Sequence, residues 1–234
     1  MNKPSFAFSL IPFLLFSLLF SGHVFSADYY PLKKGMKWEY EYITKGGMGE
    51  TSKGSYSKTV ISESYKINGI KTIPIRYTSG HLDFLIKDGS GIYRYAKQSA
   101  NDFEPQIHDE KIVWAYVYPI KIGTSWNNEW PTYLLAQSHK ILTKSTIEKL
   151  NASVITKAGI FEDCLLIKTF GEKYLDDSNA LTKNAKVRIE SYSYYAPNVG
   201  WVKQIVKHSS NNMMVAGPGN GTASRVFELI QFTK

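Results

Sequence analysis

The sequence predicts an all-β protein: a curved antiparallel sheet, an open barrel or a sandwich, built from two similar β-meander halves. Trp38, Tyr40 and Tyr42 alternate strictly with glutamates, which is the period of a strand with one buried face. Glycine-containing turns at Asn68-Gly69 and Asp88–Gly91 separate further β-rich segments and are typical of hairpins. The 16 tyrosines and 12 phenylalanines also favour strands over helices.

In the first half, a turn at Pro31 and Gly35 precedes the Trp38 strand. Polar, glycine-rich residues 45–54 predict a loop, and residues 98–109 predict a linker between the halves. Pro74 lacks an N–H group and is expected at an edge or a bulge. The remaining strands are predicted at residues 57–67, 70–77, 82–87, 92–96 and 111–118.

In the second half, the segment 139–150 is of mixed polarity. Its threonine and isoleucine content favours a strand, although residues 140–150 are also compatible with a short helix. Pro197 and Gly200 predict a turn, and residues 209–223 a long polar excursion. The other predicted strands are residues 152–157, 164–170, 187–195, 201–207 and 225–232.

An internal repeat is indicated by the motif Y-P-[LI]-K-x-G-x-x-W, which begins at Tyr30 and recurs 88 residues later at Tyr118 (118 − 30). Two further glycine landmarks recur in the same order, at offsets of 90 (159 − 69) and 109 (200 − 91), as loop insertions would produce. We expect repeats at residues 28–108 and 112–234, with Trp38 and Trp126 anchoring the cores of the two halves. The corner residues of the repeat are Pro31, Gly35, Trp38, Pro119, Gly123 and Trp126.

The first 26 residues are predicted to be a secretory signal peptide. Lys3 precedes an apolar run at residues 6–20, and small residues flank a cleavage site before Ala27. Cleavage would leave residues 27–234 as a single β-rich domain without a transmembrane segment, in the periplasm of a Gram-negative bacterium or secreted. The single cysteine, Cys164, lies beside an apolar run, so we expect a buried structural thiol.

The formal charge is +8, and +7 without Lys3, but the basic residues are spread along the chain. Nucleic acid binding would require a basic stripe or a recognisable module, so no nucleic acid partner is expected. The motifs of zinc hydrolases, serine hydrolases and P-loop proteins are missing, and the histidines show no metal-ligand spacing. The sequence therefore predicts no enzyme, metal or cofactor.

Aromatic side chains are the remaining candidates for a site. Trp114, Tyr116 and Tyr118 alternate on one face of a predicted strand, and Tyr192 and Tyr194 do so on another. Such residues most simply fill a sheet core. They also suit an aromatic-lined concave face that holds an apolar or glycan ligand, and we name these five as candidate ligand-binding residues.

Two motifs carry a resemblance. Residues 158–164 read A-G-I-F-E-D-C, and residues 195–203 read Y-A-P-N-V-G-W-V-K. Together with the Y-P-L opening, they resemble an uncharacterised family of exported bacterial β-sheet proteins, from which the chain departs at Trp201. The resemblance implies a curved antiparallel sheet, loosely similar to the lipoprotein carriers of the periplasm, and no catalytic residues.

Three functions are consistent with these observations. The first is a non-enzymatic envelope protein that binds an apolar or amphipathic ligand, a lipid or an exported partner, in a curved sheet. The second is an assembly module that binds an envelope protein or a polysaccharide through a sheet edge. The third is a hydrolase whose site has no recognised motif.

Overall fold

Thirteen strands and one short helix make up the described part of the chain, residues 27–175 and 181–234 of a computed structural model. The predicted signal peptide, residues 1–26, lies outside the described residues. The elements are β1 Lys37–Lys45, β2 Thr51–Val60, β3 Tyr65–Ile67, β4 Ile70–Tyr77, β5 Leu82–Asp88, β6 Gly91–Gln98, β7 Gln106–Val117, β8 Ser125–Pro131, β9 Lys140–Thr156, β10 Gly159–Tyr174, β11 Lys186–Ala196, β12 Gly200–Ser210, α1 Met213–Ala216 and β13 Thr222–Thr233.

The strands form one antiparallel sheet made of two meanders, as predicted. β1, β2, β4, β5, β6 and β7 lie side by side in chain order, β8 to β13 do the same, and β3 extends β4 alone. The two meanders are joined by a ladder between β1 and β13, from the pair Lys37–Thr233 to the pair Lys45–Ser224. The result is a nearly closed barrel with one open seam.

The open seam lies between the edge strands β7 and β8. Within the described residues these two strands form no ladder with each other. A side-chain hydrogen bond crosses the seam, from Asn128 Nδ2 to the carbonyl oxygen of Val113, at 2.9 Å. The seam brings together the last strand of the first meander, β7, and the first strand of the second, β8. The β1–β13 ladder likewise joins the first strand of one meander to the last strand of the other. The seam is therefore the counterpart of the β1–β13 ladder, without its backbone pairing.

The repeated corner is built with the same hydrogen bonds in both meanders. Each corner glycine donates to a residue of the second strand after it, β2 or β9, and that residue donates back to the residue after the glycine. The tryptophans also share a register, because Trp38 pairs with Lys58 and Trp126 pairs with Ser145. The two corners are therefore alike in structure, and the internal repeat in the sequence stays a prediction. The bonds are Gly35 N to Val60 O and Val60 N to Met36 O in one corner, and Gly123 N to Ile147 O and Ile147 N to Thr124 O in the other.

The predicted hairpins are present. Asn68 and Gly69 both have positive φ, 49° and 80°, as the central residues of a type I′ turn require. Pro74 lies in β4, where that strand changes its partner from β3 to β2. Its missing N–H group therefore interrupts neither ladder, and its carbonyl accepts a hydrogen bond from Ile61 N at 3.1 Å.

Two predicted loops are shorter than their polarity suggested. β2 begins at Thr51 and β7 at Gln106, both in segments whose side chains are exposed on the outer face. Polarity on a solvent-facing strand is not a loop signal. The segment 140–150 is part of β9 and not a helix. Residues 109–111, between the expected repeats, lie within β7, and residues 118–124 join the two meanders.

One end of the barrel is closed by the segment that precedes β1. Tyr30, which is 2% exposed, stacks on Trp38 with ring centroids 6.3 Å apart. Trp38 is 1% exposed, and its Nε1 donates to the carbonyl oxygen of Val199 at 2.6 Å. Lys87 pairs with Asp28 at 2.7 Å and anchors this segment to β5. Trp38 is therefore buried, as expected of a core anchor.

The opposite end is covered by residues 132–139 and α1. Gln137 N donates to the carbonyl oxygen of Val215, at 3.1 Å, and Val215 is buried in a separate apolar cluster. Leu134 N donates to Nδ1 of His208 at 3.2 Å. Burial, and then the charge of Arg225, lower the pKa of His208 to about 4. A neutral histidine thus holds the covering loop against β12.

We predict that Trp38 and Trp126 differ in their contribution to stability, despite their equivalent positions. Trp38→Phe removes a buried hydrogen bond and ring volume, and should lower the free energy of unfolding by about 2–3 kcal/mol. Trp126 is half-buried, so Trp126→Phe should cost less than about 1 kcal/mol. Urea unfolding followed by circular dichroism measures both. Equal losses of unfolding free energy in the two variants would contradict this prediction.

Candidate functional site

A cavity of about 450 Å³ lies inside the barrel, between the two closed ends. Its wall includes side chains from both meanders, and both seam strands contribute to it. The wall is largely aromatic and aliphatic. Its polar side chains include small hydroxyls from β9, β10 and β11, among them Ser145 and Thr169, whose oxygens are 2.7 Å apart.

A buried lysine, Lys58, is the most unusual residue of the wall. It lies on β2 between Tyr56 and Val60, and all three side chains are on the inward face of the strand. Lys58 is 3% exposed, whereas lysine side chains are almost never fully buried without a partner. The same alternation that places Tyr56 and Val60 inside the barrel forces the ammonium group in with them.

Four aromatic rings surround the Lys58 ammonium. Its Nζ lies 5.1 Å from the ring centroid of Tyr30, 5.4 Å from that of Trp38, 5.2 Å from that of Tyr40 and 5.1 Å from that of Trp201. These are cation–π distances. Nζ also donates a hydrogen bond to the hydroxyl of Tyr30 at 3.0 Å. The rings stabilise the cation in part but supply no counter-charge.

Burial lowers the pKa of Lys58 to about 7, and the nearby carboxylate of Asp83 opposes this shift. Desolvation penalises the charged form of a buried amine. Among the described residues, Lys58 has no carboxylate within 4.0 Å. A cavity-lining amine that gains or loses its proton near neutral pH is thus the chief electrostatic feature of the site.

The Tyr30 hydroxyl connects Lys58 to a second basic residue. It accepts a hydrogen bond from Trp114 Nε1 at 2.9 Å, and the guanidinium of Arg94 lies 5.5 Å from the Trp114 ring centroid. Arg94 pairs with buried Asp83 at 3.5 Å. Its Nε is buried without a hydrogen-bond partner in the part of the chain that the structure describes. Lys58, Tyr30, Trp114 and Arg94 therefore form a continuous polar strip along the cavity wall.

The five candidate aromatic residues are distributed over two faces. Trp114 lines the cavity. Tyr116 is fully buried and makes edge contacts with Tyr118, and the centroids are 5.8 Å apart. Tyr192 and Tyr194 do not line the cavity, since they alternate on β11 with Ser193 and Tyr195, which do. A binding role for any of the five stays a prediction.

The predicted corner residues lie at the end of the barrel that Tyr30 closes, and of these Trp38 and Trp126 are in strands β1 and β8. Gly35 and Gly123 have φ values of 90° and 88°, which favour glycine. Pro197 precedes Asn198 and Gly200 in the turn between β11 and β12, where Gly200 has φ 101°. A Cβ on Gly200 would lie 3.6 Å from Trp38 Nε1.

Four residues of the cavity wall were not among the predicted site residues: Lys58, Tyr30, Arg94 and Trp201. A signal for Lys58 was present, because a lysine between Tyr56 and Val60 lies on the apolar face of an alternating strand. No sequence signal connects Lys58 with Arg94 or Trp201, because they are 36 (94 − 58) and 143 (201 − 58) residues away.

Other chemistry is limited among the described residues. Cys164 is fully buried, as predicted, and burial raises the pKa of its thiol to about 11. No group of three or more His, Cys, Asp or Glu side chains is placed to hold a metal ion in residues 27–175 and 181–234. Over the same residues, no helix has the length and apolar character to cross a membrane.

Comparison with known proteins gives a single distant likeness. No family model and no curated protein matches the chain. A crystal structure of a protein from Parabacteroides distasonis ATCC 8503, described as a candidate lipoprotein, is 13% identical to this chain. The match covers 88% of this chain and 99% of that one, with a TM-score of 0.43. This likeness is too weak to carry an argument about function, and the motif resemblance to exported bacterial proteins stays a prediction.

We predict that Lys58 makes stability depend on pH above neutrality. Between its folded pKa of about 7 and its unfolded value of about 10.4, the unfolded chain alone binds the proton, so stability rises with pH by up to about 1.4 kcal/mol per unit. Lys58→Met should remove this dependence. When the pH is lowered from 9.5 to 7.5, the wild type should lose about 2 kcal/mol of unfolding free energy relative to Lys58→Met.

Urea unfolding at both pH values measures this difference. Using the difference cancels the titration of tyrosines and Cys164, which both proteins share. A constant difference from pH 7.5 to pH 9.5 would show that Lys58 is charged throughout the range.

Proposed function

We propose that this protein is a non-enzymatic protein of the bacterial envelope that binds one apolar or amphipathic ligand inside its barrel. The observation that carries the proposal is the cavity of about 450 Å³, with its aromatic wall and a buried lysine. Small-molecule sites are typically apolar cavities of about 300–1,000 Å³ with a few placed polar groups, and this cavity fits that description.

The cavity wall divides into two parts. The polar strip of Lys58, Tyr30, Trp114 and Arg94 forms one part. Trp126, Trp130 and Ile167 contribute apolar surface elsewhere on the wall. A ligand with a polar end and an apolar body would satisfy both parts at once, which supports an amphipathic ligand over a wholly apolar one.

The predicted signal peptide supports export and a location in the periplasm or outside the cell. An exported protein that carries an apolar molecule needs a compartment for it shielded from water, and the barrel interior supplies one. Lipids and other amphipathic molecules of the envelope are therefore the ligand class that we propose.

The open seam is the proposed route by which the ligand enters. β7 and β8 both line the cavity and have no ladder between them. Elsewhere in the described barrel, neighbouring strands are joined by backbone ladders, and opening one would break several hydrogen bonds together. Separation of β7 from β8 requires the loss of far fewer, including that from Asn128 to Val113.

We predict that the purified protein binds the fluorescent apolar probe N-phenyl-1-naphthylamine, and that Trp114→Ala weakens binding by about tenfold, because a buried aromatic contact contributes about 1–3 kcal/mol. Tyr192→Ala removes an aromatic side chain from the outer face and should leave affinity unchanged. Fluorescence titration measures both variants, with circular dichroism to verify folding.

Two results would count against the proposal. Saturable binding that is lost in Tyr192→Ala but kept in Trp114→Ala would place the ligand on the outer face. A lack of probe binding, together with a ligand-free mass for protein taken directly from the periplasm into native mass spectrometry, would contradict a cavity ligand altogether.

We predict that joining β7 to β8 slows ligand exchange. Val113→Cys and Asn128→Cys, in a Cys164→Ala background, place two thiols across the seam, and a disulfide or a short bismaleimide would link them. The dissociation rate of the bound probe, measured by stopped-flow fluorescence, should fall at least about tenfold on linkage, because the strands can no longer part. Breaking the disulfide should restore the rate.

A matched control uses Tyr192→Cys and Ile205→Cys, which pair across the ladder between β11 and β12. This link joins strands that are already paired and should not change the rate. If the seam link leaves the dissociation rate unchanged while probe affinity persists, the ligand enters elsewhere.

A further inference from the structure

We infer that the polar end of the ligand is an anion, a carboxylate or a phosphate monoester, bound between Lys58 and Arg94. This inference rests on the proposed function and specifies the charge of the ligand. It comes from the balance of hydrogen-bond donors, acceptors and charges in the polar strip.

The polar strip is rich in donors. The Lys58 ammonium in its protonated form, the Arg94 guanidinium and the Trp114 indole can only donate hydrogen bonds. The oxygen of Tyr30 accepts from Lys58 Nζ at 3.0 Å and from Trp114 Nε1 at 2.9 Å. Both of its acceptor positions are then used, and its own hydrogen remains to donate. The strip can therefore offer donors to a ligand from three side chains, and its phenol oxygen has no capacity left to accept.

The nearby carboxylates do not balance these donors. Asp83 pairs with Arg94 at 3.5 Å but does not line the cavity. Glu129 does line it, but its side chain is 64% exposed and lies 3.9 Å from Lys140. The described residues give Lys58 no carboxylate partner, and Arg94 Nε is a buried donor without one. An anionic group in the cavity would supply the missing acceptors and charge.

The electrostatics agree with this assignment. Removal of Lys58 from water disfavours its charged form, and a bound anion would reverse that cost. The four surrounding rings keep the ammonium at the wall, where it can meet a ligand. A buried ammonium with acceptors only from rings and a phenol is an incomplete site that an anion completes.

Displacement of N-phenyl-1-naphthylamine by a matched series of ligands tests the inference. Dodecanoic acid and dodecyl phosphate carry the anion, 1-dodecanol has the same chain without charge, and butyrate and inorganic phosphate have the charge without the long chain. We expect the two anionic amphiphiles to bind at least about tenfold more tightly than 1-dodecanol, and the short anions to displace little probe.

Variants assign the preference to the two basic residues. Lys58→Met and Arg94→Gln should each reduce the advantage of dodecanoic acid over 1-dodecanol at least fivefold, with little change in the affinity for the alcohol. Lys168→Met removes an equal charge from the outer face, where Lys168 pairs with Glu148, and should have no effect. Circular dichroism verifies the fold, and Lys58→Gln replaces Lys58→Met if the latter does not fold.

The outcomes separate the inference from the proposed function. Equal affinity for dodecanoic acid and 1-dodecanol overturns the anionic assignment and leaves the cavity function intact. A preference that survives in both Lys58→Met and Arg94→Gln also overturns it. Tight binding of inorganic phosphate or butyrate would show a site for small anions without an apolar tail. If none of the compounds displaces the probe from the cavity, the proposed function fails.

Discussion

The ladder between β1 and β13 holds the two halves of the barrel together. It joins two six-stranded meanders, one at each end of the chain, into a single sheet. Because a ladder joins each meander to the other at this edge alone, the opposite edges β7 and β8 are left facing each other as a seam. The same ladder places Trp38 and Tyr40 in the core, beside the strand that carries Lys58. Closure, cavity and seam are consequences of one pairing.

The near-symmetry of the two halves explains where they differ in chemistry. Equivalent corners are built with equivalent hydrogen bonds, yet Lys58 in one half corresponds to Ser145 in the other. In the first half, Lys58 packs closely against the aromatic rings of Tyr30 and Trp38. The serine side, next to the half-buried Trp126, opens onto the cavity. A symmetric scaffold thus gives an asymmetric interior, with a basic strip on one side and hydroxyl groups on the other.

Stability and binding oppose each other at the basic strip. The buried Lys58 amine, with its lowered pKa, costs folding free energy, and so does Arg94 Nε, which has no hydrogen-bond partner among the described residues. Aromatic rings packed around Tyr30, Tyr40 and Tyr195 stabilise the core beside the strip. Local costs of this kind are typical of functional sites, where a ligand supplies the interaction that the fold leaves out.

Most strands and turns could be predicted from the sequence, because alternation and glycine positions act over a few residues. Asn68-Gly69 predicted a hairpin and the alternating Trp38 segment predicted a strand. The repeated motif predicted two similar meanders. Alternation places Tyr192 and Tyr195 on opposite faces of β11, but which face encloses the cavity depends on how the whole sheet curves and closes. Only the tertiary structure brought Lys58 to Trp201. The closure of a sheet depends on pairings between distant residues, and no local pattern encodes them.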